Sequence, residues 1–238
     1  MFFDYQQSRS KKAPQGILRG FKGYLQTDGY EAYEQFEKQG DVTHFLCMAH
    51  ARRYFVDAQA TDGQRSAYVL EKMLQLYSIE RSCREQELSF DERKDIRQSQ
   101  AGPILEKLKE WMTEQFREKK VLPNSPMGKA LAYSLKRWDK LMRYTQNGML
   151  SIDNNPVENS IRPVALGRKN YLFCGSHEAA QRTAMIYSLL GSCKMQGIDP
   201  YLWLRDVLTR LPMHPINKIK ELLPNNWKPL QVQTTLNH

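Results

Sequence analysis

The chain has 238 residues, of which 41% are hydrophobic and 11% aromatic, and it carries a formal net charge of +9. This length and composition suit one large or two small folded domains and argue against a globally disordered chain. The sequence contains no apolar run of about eighteen residues and no secretory signal at its start, so we expect a cytoplasmic protein with no membrane partner.

The positive charge is concentrated in the second half of the chain. Residues 1–61 hold 8 Lys/Arg and 7 Asp/Glu, residues 62–120 hold 12 of each, and residues 121–238 hold 15 and 7. A basic surface suits a polyanionic substrate, because Lys and Arg release counterions when they bind phosphates. A solvated surface that only keeps the protein soluble explains the charge equally well.

The four cysteines do not indicate a disulfide framework or a zinc cluster. They are far apart and form no C-x-x-C pair. Cys47 and His50 have a C-x-x-H spacing, but no second pair follows at the distance of a zinc finger.

The first sixty residues predict alternating strands and helices. Residues 2–5 are typical of the end of a strand, and residues 23–28 and 42–47 predict two further strands, each followed by a helical pattern. A strand–helix–strand order implies parallel pairing with a right-handed crossover. Ligand sites in such sheets lie beyond the carboxyl ends of the strands, where Asp28 is predicted. The alternative for Asp28 and Gly29 is an ordinary turn.

Residues 61–147 predict a group of helices. Apolar residues recur at intervals of three and four, which indicates core packing. The pair Gly102 and Pro103 predicts a helix break, and Ser125, followed by Pro126, predicts the start of a helix that ends near residue 147.

The segment 151–163 contains a second candidate carboxylate. Asn155 is predicted as a helix N-cap, Pro156 as the first helical residue and Glu158 as a residue of the first turn. Asn155 and Glu158 have the spacing of a capping box, in which the glutamate is purely structural. The alternative is that Glu158 is a metal ligand, and the segment by itself does not decide between the two.

Two further helices are predicted after this segment. Ser176 is expected to cap the first, which ends at Gly197, and Asp199 with Pro200 to open the second. A short helix over 216–223 and a polar tail complete the chain.

Four blocks of sequence resemble the transposases of the insertion-sequence 66 family. They are LQTDGYEAYEQF, CMAHARRYFVDA, SIDNNPVENSIRPVALGRKNYLFCGS and MQGIDPYLWLRDVL, at residues 25–36, 47–58, 151–176 and 195–208. The similarity extends over nearly the whole chain. It implies an α/β fold of the ribonuclease H-like DDE type, in which two aspartates and a glutamate hold two Mg²⁺ ions (Mn²⁺ as a substitute) for DNA cleavage and strand transfer.

Within this resemblance Asp28 matches the second aspartate and Glu158 the glutamate. Carboxylates that hold two cations about 4 Å apart can activate an oxygen nucleophile and stabilise the leaving alkoxide. The candidate DNA-binding residues are Arg162, Arg168, Lys169 and Asn170, with Tyr171 as a further candidate. For Arg52 and Arg53 a solvated helix face explains the residues equally well.

The resemblance also implies a division of the chain. Residues 1–60 correspond to part of a ribonuclease H-like core, 61–150 to a helical insertion, 151–190 to the remainder of the core with Glu158, and 191–238 to a C-terminal helical region.

One departure from the family pattern concerns the first catalytic aspartate. Family members are about twice as long, and this residue lies on a strand upstream of the region matched here. Asp4 is a poor substitute, because it precedes Asp28 closely and its segment resembles the third strand of the fold. We therefore expect a truncated chain that is inactive alone.

Two other functions remain open. The chain could be a non-catalytic DNA-binding remnant that assembles with itself or with full-length transposase and inhibits it. It could also be a general ribonuclease H-like nuclease that cuts DNA without regard to element ends.

Overall fold

The computed structural model describes residues 1–8, 10–38, 40–118 and 120–230. They belong to two compact units. One unit comprises the described residues of Ser10–Asn155, and the other those of Met1–Arg9 and Pro156–His238. The predicted boundaries at residues 60, 150 and 190 are not tested by this division and stay predictions.

A small parallel sheet lies in the unit formed by residues 10–155. Strand β1 (Gly23–Thr27) pairs with β2 (Val42–Leu46) in register from Gly23 opposite Val42 to Thr27 opposite Leu46. Helix α1 (Lys12–Ile17) precedes the sheet, and the crossover contains a 3₁₀ turn (Glu31–Tyr33) and helix α2 (Glu34–Glu37). The predicted parallel pairing is confirmed, and both strands end at the same edge of the sheet.

Helices form the rest of this unit. They are α3 (Met48–Ala58), α4 (Gly63–Glu85), α5 (Phe90–Ile96), α6 (Gly102–Arg117), α7 (Pro126–Lys136) and α8 (Trp138–Met142), followed by a 3₁₀ turn (Arg143–Gln146). Ser125 caps α7 as predicted, since its Oγ accepts a hydrogen bond of 3.0 Å from Gly128 N. The helix predicted from Ser125 to residue 147 is interrupted at Arg137, between α7 and α8.

The core of this unit lies where α3, α4, α6 and α7 meet. Its fully buried apolar side chains include Phe55, Val69, Met73, Leu76, Leu105, Leu108, Met112 and Leu131. Met73, Leu105, Leu108, Met112 and Leu131 belong to the apolar stripes predicted at helical intervals, so their burial follows from the period of the pattern. Leu74, which was assigned to the same stripe as Met73, is exposed.

Arg97 is buried in this core with all of its donors engaged. It makes a bidentate pair with Glu80, at 2.7 Å for both bonds. It also donates to the carbonyl oxygens of Tyr144, Asn147 and Leu150, at 2.7–2.9 Å. These bonds use all five guanidinium donors and join α4 to the segment that precedes residue 151.

The predicted break at Gly102 and Pro103 is wrong. Helix α5 continues through a π-helical turn (Arg97–Ala101) directly into α6. Pro103 lies in the first turn of α6, where a missing N–H is tolerated. The π-helical turn begins at Arg97. The tertiary contacts of this side chain explain why the helix continues here and does not break.

In the other unit, the predicted strand at residues 2–5 is also wrong. These residues lie outside any strand and bind side chains of helix α10 (His177–Met195). Phe3 N donates to Ser188 Oγ at 2.8 Å, and the Tyr5 hydroxyl lies 2.7 Å from His177 Nδ1. Helical hydroxyl groups thus replace the ladder partner that a strand needs.

The remaining helices of this unit follow local capping signals. Helix α9 (Asn155–Tyr171) continues through Pro163, and Ser176 caps α10 through a 3.1 Å bond from Ala179 N. Asp199 caps α11 (Pro200–Arg210), and two 3₁₀ turns follow at Leu211–Met213 and Ile216–Leu222. Of the polar tail predicted after residue 223, residues 231–238 lie outside the described residues.

The described chain is therefore mostly helical, with a two-stranded parallel sheet. This arrangement is consistent with an α/β class, whereas a ribonuclease H-like topology stays a prediction. No helix in the described ranges combines the length and apolar character needed to cross a membrane.

Candidate active site

Asp28 lies at the carboxyl edge of the sheet, directly after β1. Its side chain is exposed, and Oδ1 accepts a hydrogen bond of 2.9 Å from Tyr30 N. The chain turns at Gly29, which has a φ of +87°, a value that favours glycine. The functional and the turn interpretations of this pair are therefore compatible, because the turn presents the carboxylate to solvent.

The turn is fixed through its backbone by Tyr133 on α7. The Tyr133 hydroxyl donates to the Asp28 carbonyl oxygen at 3.0 Å. The ring of Tyr133 stacks on Tyr54 at a centroid distance of 4.3 Å, and the Arg137 guanidinium lies 4.3 Å from its centroid. Burial raises the pKa of Tyr133 to about 12, although the charge of Arg137 acts in the opposite direction. The hydroxyl therefore stays protonated and remains a donor at neutral pH.

The segment that leads into α9 binds the same edge of the sheet. Gln26 Nε2 donates to Ser151 O at 2.9 Å, and Met48 N donates to Ile152 O at 3.0 Å. Because these bonds come from the end of β1 and the start of α3, the segment lies across the carboxyl ends of the strands. Residues 151 and 152 are thereby held at the edge that carries Asp28.

Two residues of this segment were missed by sequence reasoning. Asp153 accepts from both Asn155 N at 3.1 Å and Asn155 Nδ2 at 2.7 Å, so it supports the start of α9. Asn154 N donates to Cys47 Sγ at 3.4 Å, and among the described residues no partner is found for the buried Asn154 Oδ1. An acidic residue two positions before Asn155 is the signal that could have identified this anchor.

Glu158 lies on the first turn of α9, half-buried, and the candidate DNA-binding residues follow on the same helix. At 3.6 residues per turn, Glu158, Arg162 and Lys169 share one face. Arg168 and Asn170 flank this face, and all four candidate DNA-binding residues are exposed. The helix therefore presents a carboxylate and a basic surface together.

Arg168 and Tyr171 also line a cavity of about 810 Å³ within their unit. Its other walls come from residues 3–5, Val164, residues 172–176 and α10, and they include the carboxylates Asp4 and Glu178. The aromatic rings offer surfaces on which bases can stack, whereas the two carboxylates oppose the charge of Arg168.

Asp28 and Glu158 belong to different units. The expectation that they share one metal site stays a prediction.

A further group of potential ligands, Glu34, Glu37 and His44, lies on the crossover and β2. Their ligand atoms are within 4.8 Å of one another. The Lys140 ammonium pairs with both glutamates, and Arg143 pairs with Glu37. Although its burial acts in the other direction, hydrogen bonds from Lys140 and Arg143 lower the pKa of Glu37. The charge that a metal ion would supply is thus already provided by side chains.

Comparison with known proteins identifies the sequence class. The profile described as "Transposase IS66 family" matches residues 1–182, and that described as "IS66 C-terminal element" matches residues 188–225. No solved structure matches the chain.

Three similar proteins come from Sinorhizobium fredii (strain NBRC 101917 / NGR234), each of them uncharacterized. Protein y4jD is 35% identical over 237 residues, which cover 96% of this chain and 46% of the relative. Protein y4hP is 34% identical over 246 residues, 96% of this chain and 44% of the relative. Protein y4qI is 35% identical over 221 residues, which cover 89% of this chain and 40% of the relative. The chain thus spans less than half the length of these relatives.

Proposed function

The chain belongs to the IS66 transposase family, and we propose that it acts in DNA transposition by contributing Asp28 and Glu158 to a site that cleaves and joins phosphodiester bonds. The observation that carries the proposal is the position of Asp28, an exposed carboxylate that directly follows a strand of the parallel sheet.

The donor groups at this edge suit a hard divalent cation. Mg²⁺ prefers carboxylate and carbonyl oxygens, and Mn²⁺ accepts the same ligands. The Asp28 carboxylate supplies such oxygens, and the buried Oδ1 of Asn154 is an acceptor that a cation or its bound water can use. When bound, two such ions activate the attacking oxygen and neutralise the leaving one. Asp28 and Glu158 are the residues that would hold them.

DNA is the proposed substrate because of the charge on α9. Arg162 and Lys169 lie on the face of Glu158, and Arg168 and Asn170 flank it. Arginine binds phosphate through a bidentate fork and lysine acts as a point charge, so this surface is suited to a DNA backbone beside the reacting group.

A third carboxylate is needed for a DDE site, and we propose that Asp4 does not provide it. Asp4 lies on a segment held by hydroxyl groups of α10 rather than on a strand. The 238-residue chain alone is therefore proposed to be inactive, with another segment or a partner chain as the source of the first aspartate. Metal-dependent strand transfer of element-end DNA by this chain alone, abolished by Glu158→Gln, would show that this part is wrong.

Binding of Mn²⁺, followed by its paramagnetic resonance signal, tests whether the two carboxylates cooperate. Asp28→Asn and Glu158→Gln should each weaken the same Mn²⁺ site by roughly tenfold or more. Asp57→Asn, which changes an exposed carboxylate on α3, serves as the control and should leave the site unchanged. Independent losses at two separate sites would contradict a shared site.

A non-catalytic role is the second candidate, and it is favoured by the basic character of residues 121–238. In this case the chain binds DNA or full-length transposase and inhibits transposition. Asp28→Asn and Glu158→Gln would then leave DNA binding and inhibition intact, whereas replacing Arg168 and Lys169 with alanine would weaken both.

A further inference from the structure

A basic pocket lies directly beside the Asp28 turn. It has a volume of about 420 Å³, and its walls come from the residue before α1, the crossover, the end of α7 and α8. Its lining includes two carboxylates, Glu31 and Glu34. It also includes five cationic side chains, those of Lys11, Lys38, Lys136, Arg137 and Lys140. Gly29, the residue next to Asp28, forms part of the same wall.

The charges in this pocket are only partly neutralised. Lys140 pairs with Glu34, and Lys11 lies 3.9 Å from Glu31 at a highly exposed position. Among the described residues, neither Lys38 nor Lys136 lies within 4.0 Å of a carboxylate. The pocket therefore keeps a net positive charge close to the proposed catalytic carboxylate.

The side chain of Arg137 is positioned by its contact with Tyr133. Its guanidinium lies over the Tyr133 ring, and a Cβ placed on Gly29 would be 3.4 Å from its Nε. The stacking limits the rotamers of a half-buried side chain, so less freedom is lost when it binds a phosphate. The same tyrosine donates to the Asp28 carbonyl, so the arginine and the turn share one support.

We propose that this pocket binds a backbone phosphate of the DNA strand whose phosphodiester bond reacts at Asp28. The proposal rests on the function proposed above and adds a second DNA contact surface, in the unit of residues 10–155, to the one on α9. A phosphate and its sugar fit a pocket of this size, and a strand held on the Gly29 side of Asp28 is positioned for reaction.

The salt dependence of DNA binding tests the proposal with the full chain and a labelled duplex. The double variant Lys136→Gln/Arg137→Gln should reduce the slope of log K against log salt by about 0.9, because the pocket makes one phosphate contact and each such contact contributes about 0.9. Affinity at moderate salt should fall roughly tenfold or more. The double variant Lys107→Gln/Arg117→Gln removes two exposed charges from α6 and should change neither quantity appreciably.

A second variant guards against misfolding. Lys38→Gln/Lys136→Gln changes only exposed side chains, leaves the stack of Arg137 on Tyr133 intact and should reproduce the loss of slope. If both pocket variants behave like the α6 control while the parent chain binds DNA, the pocket proposal is overturned and the proposed function stands. If the parent chain binds no DNA even at low salt, the proposed function itself fails.

Competition with inorganic phosphate tests whether the ligand of the pocket is a DNA phosphate or a free anion. At constant ionic strength, we expect phosphate to compete with DNA only weakly, and less well with the Lys38→Gln/Lys136→Gln variant. Tight phosphate binding that these mutations abolish, together with unchanged DNA binding, would assign the pocket to a free anion and overturn the proposal.

Discussion

The two units differ in how they bury their side chains. Residues 10–155 contain a core of fully buried apolar groups and a buried arginine whose donors are all satisfied. In the other unit, α9 has no buried residue among those described, and α11 buries only Trp203. Large apolar side chains such as Leu166 and Leu208 are exposed there.

The two candidate catalytic residues are therefore supported in different ways. Asp28 is presented by a unit whose own core fixes its position, whereas Glu158 lies on a helix with little burial of its own. We therefore expect substitutions of buried residues in the first unit to act mainly through stability, and substitutions of exposed residues on α9 to act mainly through binding.

The largest expected effect comes from Arg97→Met. It leaves the buried Glu80 carboxylate without its partner and removes three bonds to carbonyl oxygens, so the free energy of unfolding should fall by about 3–5 kcal/mol. Urea denaturation measures this loss. Arg84→Met, at an exposed site on α4, should change stability by less than about 0.5 kcal/mol. A loss below about 1 kcal/mol for Arg97→Met would mean that this network does not stabilise the unit.

A matched pair of leucine substitutions compares the units directly. Leu105→Ala in α6 removes a fully buried side chain and should cost about 2–5 kcal/mol. Leu166→Ala in α9 changes a side chain that is 59% exposed and should cost less than about 0.5 kcal/mol. Thermal or urea unfolding monitored by circular dichroism provides both values. Equal losses would show that α9 is covered by a structure not evident from its exposure.

Gly29→Ala should have an intermediate effect. A Cβ at this position meets the Tyr133 hydroxyl at 2.9 Å, and the backbone is left-handed, so the substitution should cost about 1–2 kcal/mol. Gly63→Ala at the start of α4 is the control, since its Cβ meets nothing within 4 Å. That variant should be neutral or slightly more stable. A neutral Gly29→Ala would indicate that the turn is not fixed by Tyr133.

The smallest expected effect is a dependence on pH. Burial, and then the nearby Lys140, lower the pKa of His44 below its ordinary value of 6.5, although Glu34 and Glu37 act in the opposite direction. Because the unfolded chain binds the proton more readily, this contribution is present above pH 6.5 and is lost as the pH falls below it. His44→Gln should reduce the loss of stability in that range. His177→Gln, at an exposed site, should not. Identical pH profiles for wild type and His44→Gln would contradict this assignment.

The parts of the structure that follow from local chemistry could be predicted from the sequence. The caps Ser125, Ser176 and Asp199 were identified because their hydrogen bonds reach only the next turn. The paired strands were identified because apolar runs end at turn residues. The position of Asp28 after β1 follows from the same pattern.

The parts that depend on distant contacts could not be predicted. The continuous path from α5 to α6 depends on Arg97, whose partners lie far along the chain. Residues 2–5 have the composition of a strand but bind hydroxyl groups of α10. The basic pocket combines residues from three separate segments, so no single stretch of sequence indicates it.

The hydrogen bond from Tyr133 to the main chain of Asp28 determines how the carboxylate can be tested by mutation. Because the tyrosine holds the carbonyl oxygen and not the carboxylate, the acid can be exchanged for an amide while its scaffold is preserved. Asparagine keeps an Oδ1 that can accept the same bond from Tyr30 N. The isosteric substitution Asp28→Asn therefore removes only the charge, so its effect on metal binding can be measured without a change in the turn.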